Sequence, residues 1–199
     1  MTDPEQTPPW KFVRDIRNKC RAIPGARQDL AQPLGNPERA TLALRFIPSD
    51  ILRHPFRDKR YAYITVSGLI AAHDPTVRMN RIENRNTEEE EEGEEEPENT
   101  QGPQASLGSL FAQLDLNGGL AGEGGGPAAR RMHRLLHQDL EGLHKNLPRH
   151  VKHFTQKGLI PNWSTLLKDI SFWGNHESRT KTIQSWSYAY YRTLQGGKP

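Results

Sequence analysis

Hydrophobic and polar positions follow a helical period through the last third of the chain. Leu143, Leu147, Val151 and Phe154 recur at intervals of three and four, which places them on one face of an α-helix. The basic side chains of the same segment recur at the same intervals but about two residues out of phase, and they are Lys145, Arg149 and Lys152. This segment is predicted to bury one face and to expose a row of cations on the other.

Similar patterns predict helices along most of the chain. Residues 61–72 have the residue types of a strand, but no partner strand lies nearby in the sequence, and their small residues form one helical face. No other segment shows a convincing strand alternation, so the predicted fold class is all-α. The predicted helices begin near Pro9 or Trp10 and then cover residues 26–34, 36–46, 48–50, 61–72, 106–114, 130–138, 139–157, 163–173 and 183–194.

Four residues are predicted to begin, end or bend these helices. Asp139 would lie within the apolar stripe if one helix ran from residue 130 to 154, and an unpaired buried carboxylate is costly. A break at Asp139, with its side chain capping the next helix, is therefore favoured. Ser106 is a predicted N-cap, Gly158 is predicted to end a helix, and Pro148 should kink its helix or mark a restart.

Composition divides the chain into two basic parts and an acidic connection. Residues 88–98 contain nine Glu and residues 117–127 contain six Gly, and neither segment can bury much apolar surface. We predict two small helical bundles, at residues 1–87 and 106–199, joined by an acidic, Gly-rich flexible linker region. Its acidic disordered linker covers residues 88–105. Residues 1–87 and residues 99–199 each carry a net charge of +6, and residues 88–98 carry −9.

This charge pattern favours an anionic partner, with nucleic acid ahead of a membrane surface. The single cysteine, Cys20, allows no internal disulfide and is expected in the core. No apolar run approaches the roughly 20 residues of a membrane span, and no signal peptide is apparent. We therefore expect a soluble protein of the cytoplasm.

Rows of basic residues are the strongest candidate for function. Arg130 and Arg134 lie one turn apart, and Lys145, Arg149 and Lys152 form a second row. Such rows suit a phosphate backbone, because guanidinium groups bind phosphate oxygens and ammonium groups supply charge. A solvated helix face is the alternative, but acidic residues are scarce on these faces.

Catalytic chemistry has little support in the sequence. His133 and His137 stand at i and i+4, but no His-Glu-x-x-His pattern accompanies them and no cysteine is near, so neither a metal nor another cofactor is expected. No nucleophile elbow or phosphate-binding loop is present. Two alternatives stay open, namely a structural adaptor that uses exposed late aromatic residues and, less favoured, a histidine-dependent metal enzyme.

The order of short motifs resembles the CasB-type small subunit of the type I-E CRISPR surveillance complex, Cascade. The resemblance spans nearly the whole chain. Its motifs are an early Trp helix, Gly25-Ala26-Arg27 with Leu30, His73-Asp74-Pro75, Ser106-Leu107-Gly108, Arg130-Arg131 with Leu135-Leu136, the 143–154 helix, Trp163 to Trp173, and Trp186 with Tyr190-Tyr191.

This resemblance implies an all-helical, non-catalytic subunit that acts in antiviral defence. Two copies would stack head to tail, contact Cas7-type backbone subunits and the large subunit, and hold crRNA-paired target DNA and the displaced non-target strand. The positions that match the family's basic sites are Arg27, Arg130, Arg131, Arg149 and Lys152, with Arg179 and Lys181 near its later basic cluster.

Overall fold

The described part of the chain contains helices and no strand, which confirms the predicted fold class. A computed structural model gives the structure of residues 8–78, 105–120, 122 and 125–196. Within these ranges, ten α-helices follow in order: α1 Pro9–Ala22, α2 Ala26–Ala31, α3 Ser49–Leu52, α4 Arg57–His73, α5 Pro75–Arg78, α6 Leu107–Asn117, α7 Pro127–Leu136, α8 Leu140–Gln156, α9 Trp163–Ile170 and α10 His176–Gly196.

Helix α4 lies at the centre of the molecule. Nearly every side chain from Tyr61 to Ala71 is buried, as expected of a helix that is apolar on all sides. It packs against α1, α2 and α3 from its own half of the chain and against α8 and α9 from the other half. Gly68 allows the close approach of α2, because an added Cβ would lie 2.8 Å from the Leu30 carbonyl oxygen. The segment that could have passed for a strand is thus the central helix.

Helix α6 packs against both α10 and α7. The contact with α10 is close because Gly108 has no side chain, and a Cβ there would overlap the backbone carbonyl of Trp186. The predicted cap at Ser106 is confirmed, since its hydroxyl accepts a hydrogen bond from the Ser109 N–H. Gly158, with φ of +73°, follows α8 as predicted.

The predicted helix over residues 36–46 is wrong. Two short 3-10 turns, Pro37–Arg39 and Ala43–Phe46, replace it, and the Asn36 side chain caps neither of them. The physical reason is the spacing of the buried positions, which are Pro37, Ala40, Ala43 and Phe46. An interval of three matches the three residues per turn of a 3-10 helix better than the 3.6 of an α-helix.

One buried carboxylate joins the two halves of the chain. Asp74, which is 1% exposed, accepts hydrogen bonds of 2.8 Å from both Arg17 Nε and Trp163 Nε1. Beside this contact, the Asn162 N–H lies 3.5 Å from the carbonyl oxygen of Ala105. The halves therefore meet through α1 and α4 on one side and α8 and α9 on the other. The division into bundles at 1–87 and 106–199 stays a prediction, and the acidic run at 88–98 lies outside the described residues.

Candidate nucleic-acid interface

A buried carboxylate caps the N-terminus of helix α7. Asp115 is 2% exposed and accepts hydrogen bonds from the backbone N–H groups of Gly126, Ala128 and Ala129 at 2.9 to 3.2 Å. The Tyr190 hydroxyl donates a further bond of 2.7 Å to the same carboxylate. These bonds satisfy N–H groups that a helix leaves free at its start, and they fix the position of α7 against α6 and α10.

Three hydrogen bonds hold the short turn between α7 and α8. Asp139 accepts a 2.7 Å hydrogen bond from the Gly142 N–H, which confirms the predicted break and cap. Trp173 Nε1 donates to the Gln138 carbonyl at 3.1 Å, and Arg179 donates to the Leu136 carbonyl at 3.3 Å. The two helices therefore leave this turn with a fixed separation.

A groove of about 550 Å³ lies between α7 and α8. Its cations are Arg131 and Arg134 from α7 and Arg149 and Lys152 from α8. The remaining lining residues are uncharged polar groups, histidines and one leucine, so none of the described lining residues is a carboxylate: Leu135, Gln138, Asn146, His150, His153 and Gln156. We call this feature the α7–α8 groove. It presents four cations to one elongated space.

The pKa values of two histidines in the groove are lowered by their surroundings. Burial, followed by the charges of Arg149 and Arg131, lowers the pKa of His150 to about 4. Burial, followed by Arg131 and Lys157, also lowers the pKa of His153. Burial, the larger cause of each shift, disfavours any charge, whereas the neighbouring Arg and Lys charges disfavour only a further cation. Those charges would attract an anion.

Pro148 does not break the basic helix. Helix α8 continues through it from Leu140 to Gln156 without the restart that was one of its two predicted effects. The missing proline N–H removes one interior hydrogen bond, yet Arg149 still lines the α7–α8 groove. The neighbouring proline therefore does not turn Arg149 away from the other cations.

Five of the nine predicted binding residues lie outside the groove lining. Arg130 and Lys145 are exposed on α7 and α8, and Lys181 pairs with Glu177 at 2.7 Å on the surface of α10. Arg179 is half-buried, with its guanidinium 5.6 Å from the Trp173 ring centre and bonded to the end of α7, so its contacts stabilise the turn. Arg27 lies in the other half, where its Nε donates to the Ala71 carbonyl at 3.3 Å.

The polar residues that complete the groove are not among the nine predicted binding residues, although the histidines of this segment were interpreted as a solvated helix flank or extra phosphate contacts. Asn146, His150 and His153 lie at intervals of three and four, which puts them on one side of α8. Lys145 and Arg149 of the predicted cationic row come one position before Asn146 and His150, so the two sets lie on adjacent sides of α8. The helical period was visible in the sequence, but the packing of α7 against α8 decides which of these sides faces the groove.

Other kinds of site are not apparent in the structure. His133 and His137 lie at the end of α7, and no group of three or more His, Cys, Asp or Glu residues suited to a metal ion occurs in the ranges described above. No described helix is both long and apolar enough to cross a membrane. The α7–α8 groove is therefore the feature on which we build the functional argument.

Comparison with known proteins identifies the family. The sequence model of CRISPR-associated protein Cse2 matches residues 27–191. The chain belongs to the Cse2 family. Membership confirms the resemblance to the CasB-type small subunit, and the matched range includes both helices of the groove. A search of curated protein sequences found no match.

Solved structures share the fold of this Cse2-family chain. A crystal structure of M. ruber CasB is 27% identical, with a TM-score of 0.68 over 96% of this chain and 97% of that one. A chain from a CRISPR RNA-guided surveillance complex is 23% identical, with a TM-score of 0.68 over 93% and 92% of the two chains. A pre-nicking form of such a complex gives a TM-score of 0.66 at 23% identity.

The motif residues that resemble the Cse2 family mostly build the fold. Asp74 binds Trp163, and Asp169 accepts a 2.7 Å hydrogen bond from Trp186 Nε1. Trp173 and Trp186 are fully buried, with ring centres 5.7 Å apart. The basic positions Arg131 and Arg149 differ from this group, since they are exposed and line the groove. The motifs thus divide into core contacts and a smaller exposed, basic set.

Proposed function

We propose that this chain is a non-catalytic small subunit of a type I-E CRISPR surveillance complex and holds nucleic-acid strands in the α7–α8 groove. The observation that carries the proposal is the convergence of Arg131, Arg134, Arg149 and Lys152 on a space whose described lining contains no carboxylate. Guanidinium and ammonium groups bind phosphate oxygens without reading bases. That suits a complex in which guide pairing reads the sequence.

The ligands in this proposal are the strands of an R-loop. The displaced non-target strand and the duplex of crRNA and target DNA both present rows of phosphates. Family membership supports assembly with Cas7-type backbone subunits, the large subunit and a second copy of the chain, and the solved relatives named above include a chain of a surveillance complex. Arg27, Arg130, Lys145 and Lys181 remain proposed outer contacts along the same strands.

The proposal is tested by removing the charges of the groove together. We would replace Arg131, Arg134, Arg149 and Lys152 by Gln in the full chain and measure the binding of a labelled oligothymidylate over a series of salt concentrations. Each lost phosphate contact should flatten the plot of log K against log salt by about 0.7 for a single strand. Affinity at low salt should fall at the same time.

A second variant controls for net charge. Arg39, Arg53, Lys168 and Arg192 are exposed and lie outside the groove lining, so their replacement by Gln removes the same four charges elsewhere. The control should keep most of the slope. Equal losses in both variants would show that binding depends on overall charge and would contradict a role for the groove. R-loop formation by the complex reconstituted with each variant is the corresponding functional assay.

A structural adaptor is the second candidate, because large aromatic side chains remain exposed. Tyr188 is 69% exposed and Phe56 is 59% exposed, and such residues are enriched where proteins meet. An adaptor predicts that Tyr188→Ala or Phe56→Ala prevents assembly, whereas the groove variant assembles normally and supports unchanged R-loop formation. A histidine-dependent metal enzyme would instead retain stoichiometric metal through purification.

A further inference from the structure

One hydrogen bond in the groove joins two groups that would both suit a phosphate. Arg131 Nη1 lies 3.3 Å from His153 Nε2. A guanidinium group can only donate hydrogen bonds, so Nε2 is the acceptor and carries no proton in this arrangement. The proton of the neutral ring then sits on Nδ1. In the absence of a ligand, Arg131 is therefore bound to a neutral His153.

The charged groups around His153 in the described groove are all cations. Helix α7 contributes two arginines, helix α8 contributes one arginine, one lysine and a second histidine, and one lysine follows the end of α8: Arg131, Arg134, Arg149, Lys152, His150 and Lys157. The described groove residues include no carboxylate that could stabilise an imidazolium. Protonating His153 at Nε2 would also remove the acceptor of the Arg131 bond and place two cations side by side.

We infer that a phosphate group entering the α7–α8 groove replaces the Arg131–His153 hydrogen bond, and that His153 then takes up one proton at Nε2. A phosphate oxygen would accept hydrogen bonds from the released guanidinium and from the imidazolium together. One hydrogen bond between side chains is exchanged for two charge-assisted bonds to the ligand. The proton comes from solvent and forms the Nε2–H bond, and no bond between heavy atoms changes. This inference rests on the proposed function of the same groove.

Proton uptake makes binding dependent on pH in a defined direction. Nucleic-acid phosphates remain ionised throughout the range in which histidine titrates, and thymine has no group that titrates there. The affinity for oligothymidylate should therefore rise as pH falls, by at most about tenfold per pH unit for a single linked proton. Between about pH 7.5 and 5.5, we expect Kd to fall by about tenfold.

Substitution of His153 isolates this effect. His153→Gln keeps an acceptor for Arg131 but cannot gain a charge, so its Kd should change with pH much less than that of the wild-type chain. His153→Lys fixes the charge, and should bind more tightly than wild type at about pH 7.5 with a similarly weak pH dependence. His133→Gln is the matched control, since His133 is exposed on α7 outside the groove lining. It should keep the wild-type pH dependence.

The test is a series of fluorescence-anisotropy titrations of the full chain with oligothymidylate across this pH range. NMR titration of the His153 ring should show its pKa rising when the oligonucleotide is bound. A His153→Gln variant with the wild-type pH dependence, or a His153 pKa that does not rise on binding, would overturn the inference.

The variant in which Gln replaces Arg131, Arg134, Arg149 and Lys152 distinguishes this inference from the proposed function. If it binds as tightly as wild type, the groove is not the site. If the four-charge groove variant binds weakly but His153→Gln keeps the wild-type pH dependence, the groove remains the binding site and only proton uptake by His153 is refuted.

Discussion

Acidification should destabilise this protein through a histidine that the groove does not use. His144 is fully buried between α4 and α8, and its Nδ1 lies 2.8 Å from the Thr65 hydroxyl oxygen. Its Nε2 has no hydrogen-bond partner among the residues described, and its ring packs edge-on to Tyr61. Burial lowers the pKa of His144 to about 3. The folded protein therefore keeps this ring neutral well below the pH at which an unfolded chain protonates it.

The sign and size of the effect follow from the two pKa values. An unfolded histidine has a pKa of about 6.5, so below that pH the unfolded state binds more protons than the folded state, and the free energy of unfolding falls as pH falls. Stability is complete above about pH 6.5 and is lost progressively down to about pH 3. At pH 5.5 the loss from His144 is about 1.4 kcal/mol, and it grows by about 1.4 kcal/mol for each further pH unit.

Urea unfolding followed by circular dichroism at a series of pH values would measure this loss. His144→Leu removes the titrating ring and the unpaired Nε2, and His133→Leu is the exposed control. Because other groups with shifted pKa values, among them His150 and Asp169, contribute equally to both proteins, the wild-type slope should exceed that of His144→Leu by about one proton. A His144→Leu variant with the wild-type slope would refute the assignment of a buried, neutral His144.

Two further predictions concern contacts that hold the helices together. Asp74→Ala should lower the free energy of unfolding by about 3–5 kcal/mol, because it leaves Arg17 and the Trp163 N–H without their shared acceptor. Urea unfolding would measure this change, and a loss below about 1 kcal/mol would contradict the prediction. Gly108→Ala should cost about 1–3 kcal/mol by forcing α6 away from the Trp186 carbonyl, measurable as a lower Tm, and an unchanged Tm would argue against the close packing of α6 on α10.

Local signals in the sequence predicted helix ends well. Ser106 is predicted as a cap because it precedes an apolar stripe, and Asp139 because it would otherwise interrupt one. Both make the expected hydrogen bond. The segment at 36–46 differs from its prediction, because Asn36-Pro37 is typical of a helix start whereas the buried positions after it repeat every three residues. Caps depend on neighbouring residues alone, so a single sequence can reveal them.

Features that depend on distant residues could not be predicted in the same way. Arg179 is a predicted basic contact through the family resemblance alone, and its hydrogen-bond acceptor, the Leu136 carbonyl, is 43 positions earlier in the chain. The basic rows of α7 and α8 were both predicted, and Arg134, Arg149 and Lys152 from these rows line one groove together with Arg131. Their facing arrangement follows from the short turn at Asp139 and from Trp173, whose bond to Gln138 spans 35 positions.

The contacts at the start of α9 have a consequence for protein engineering. Asp74 binds Trp163, and Ala105 contacts the adjacent Asn162, so the chain leaves the first half and enters the second at neighbouring points. Because the ends of this connection are already held together, doubling its length would cost only about 0.6 kcal/mol of closure entropy. A fluorescent domain or an affinity tag could therefore replace residues 88–98 while the helices on both sides keep their packing.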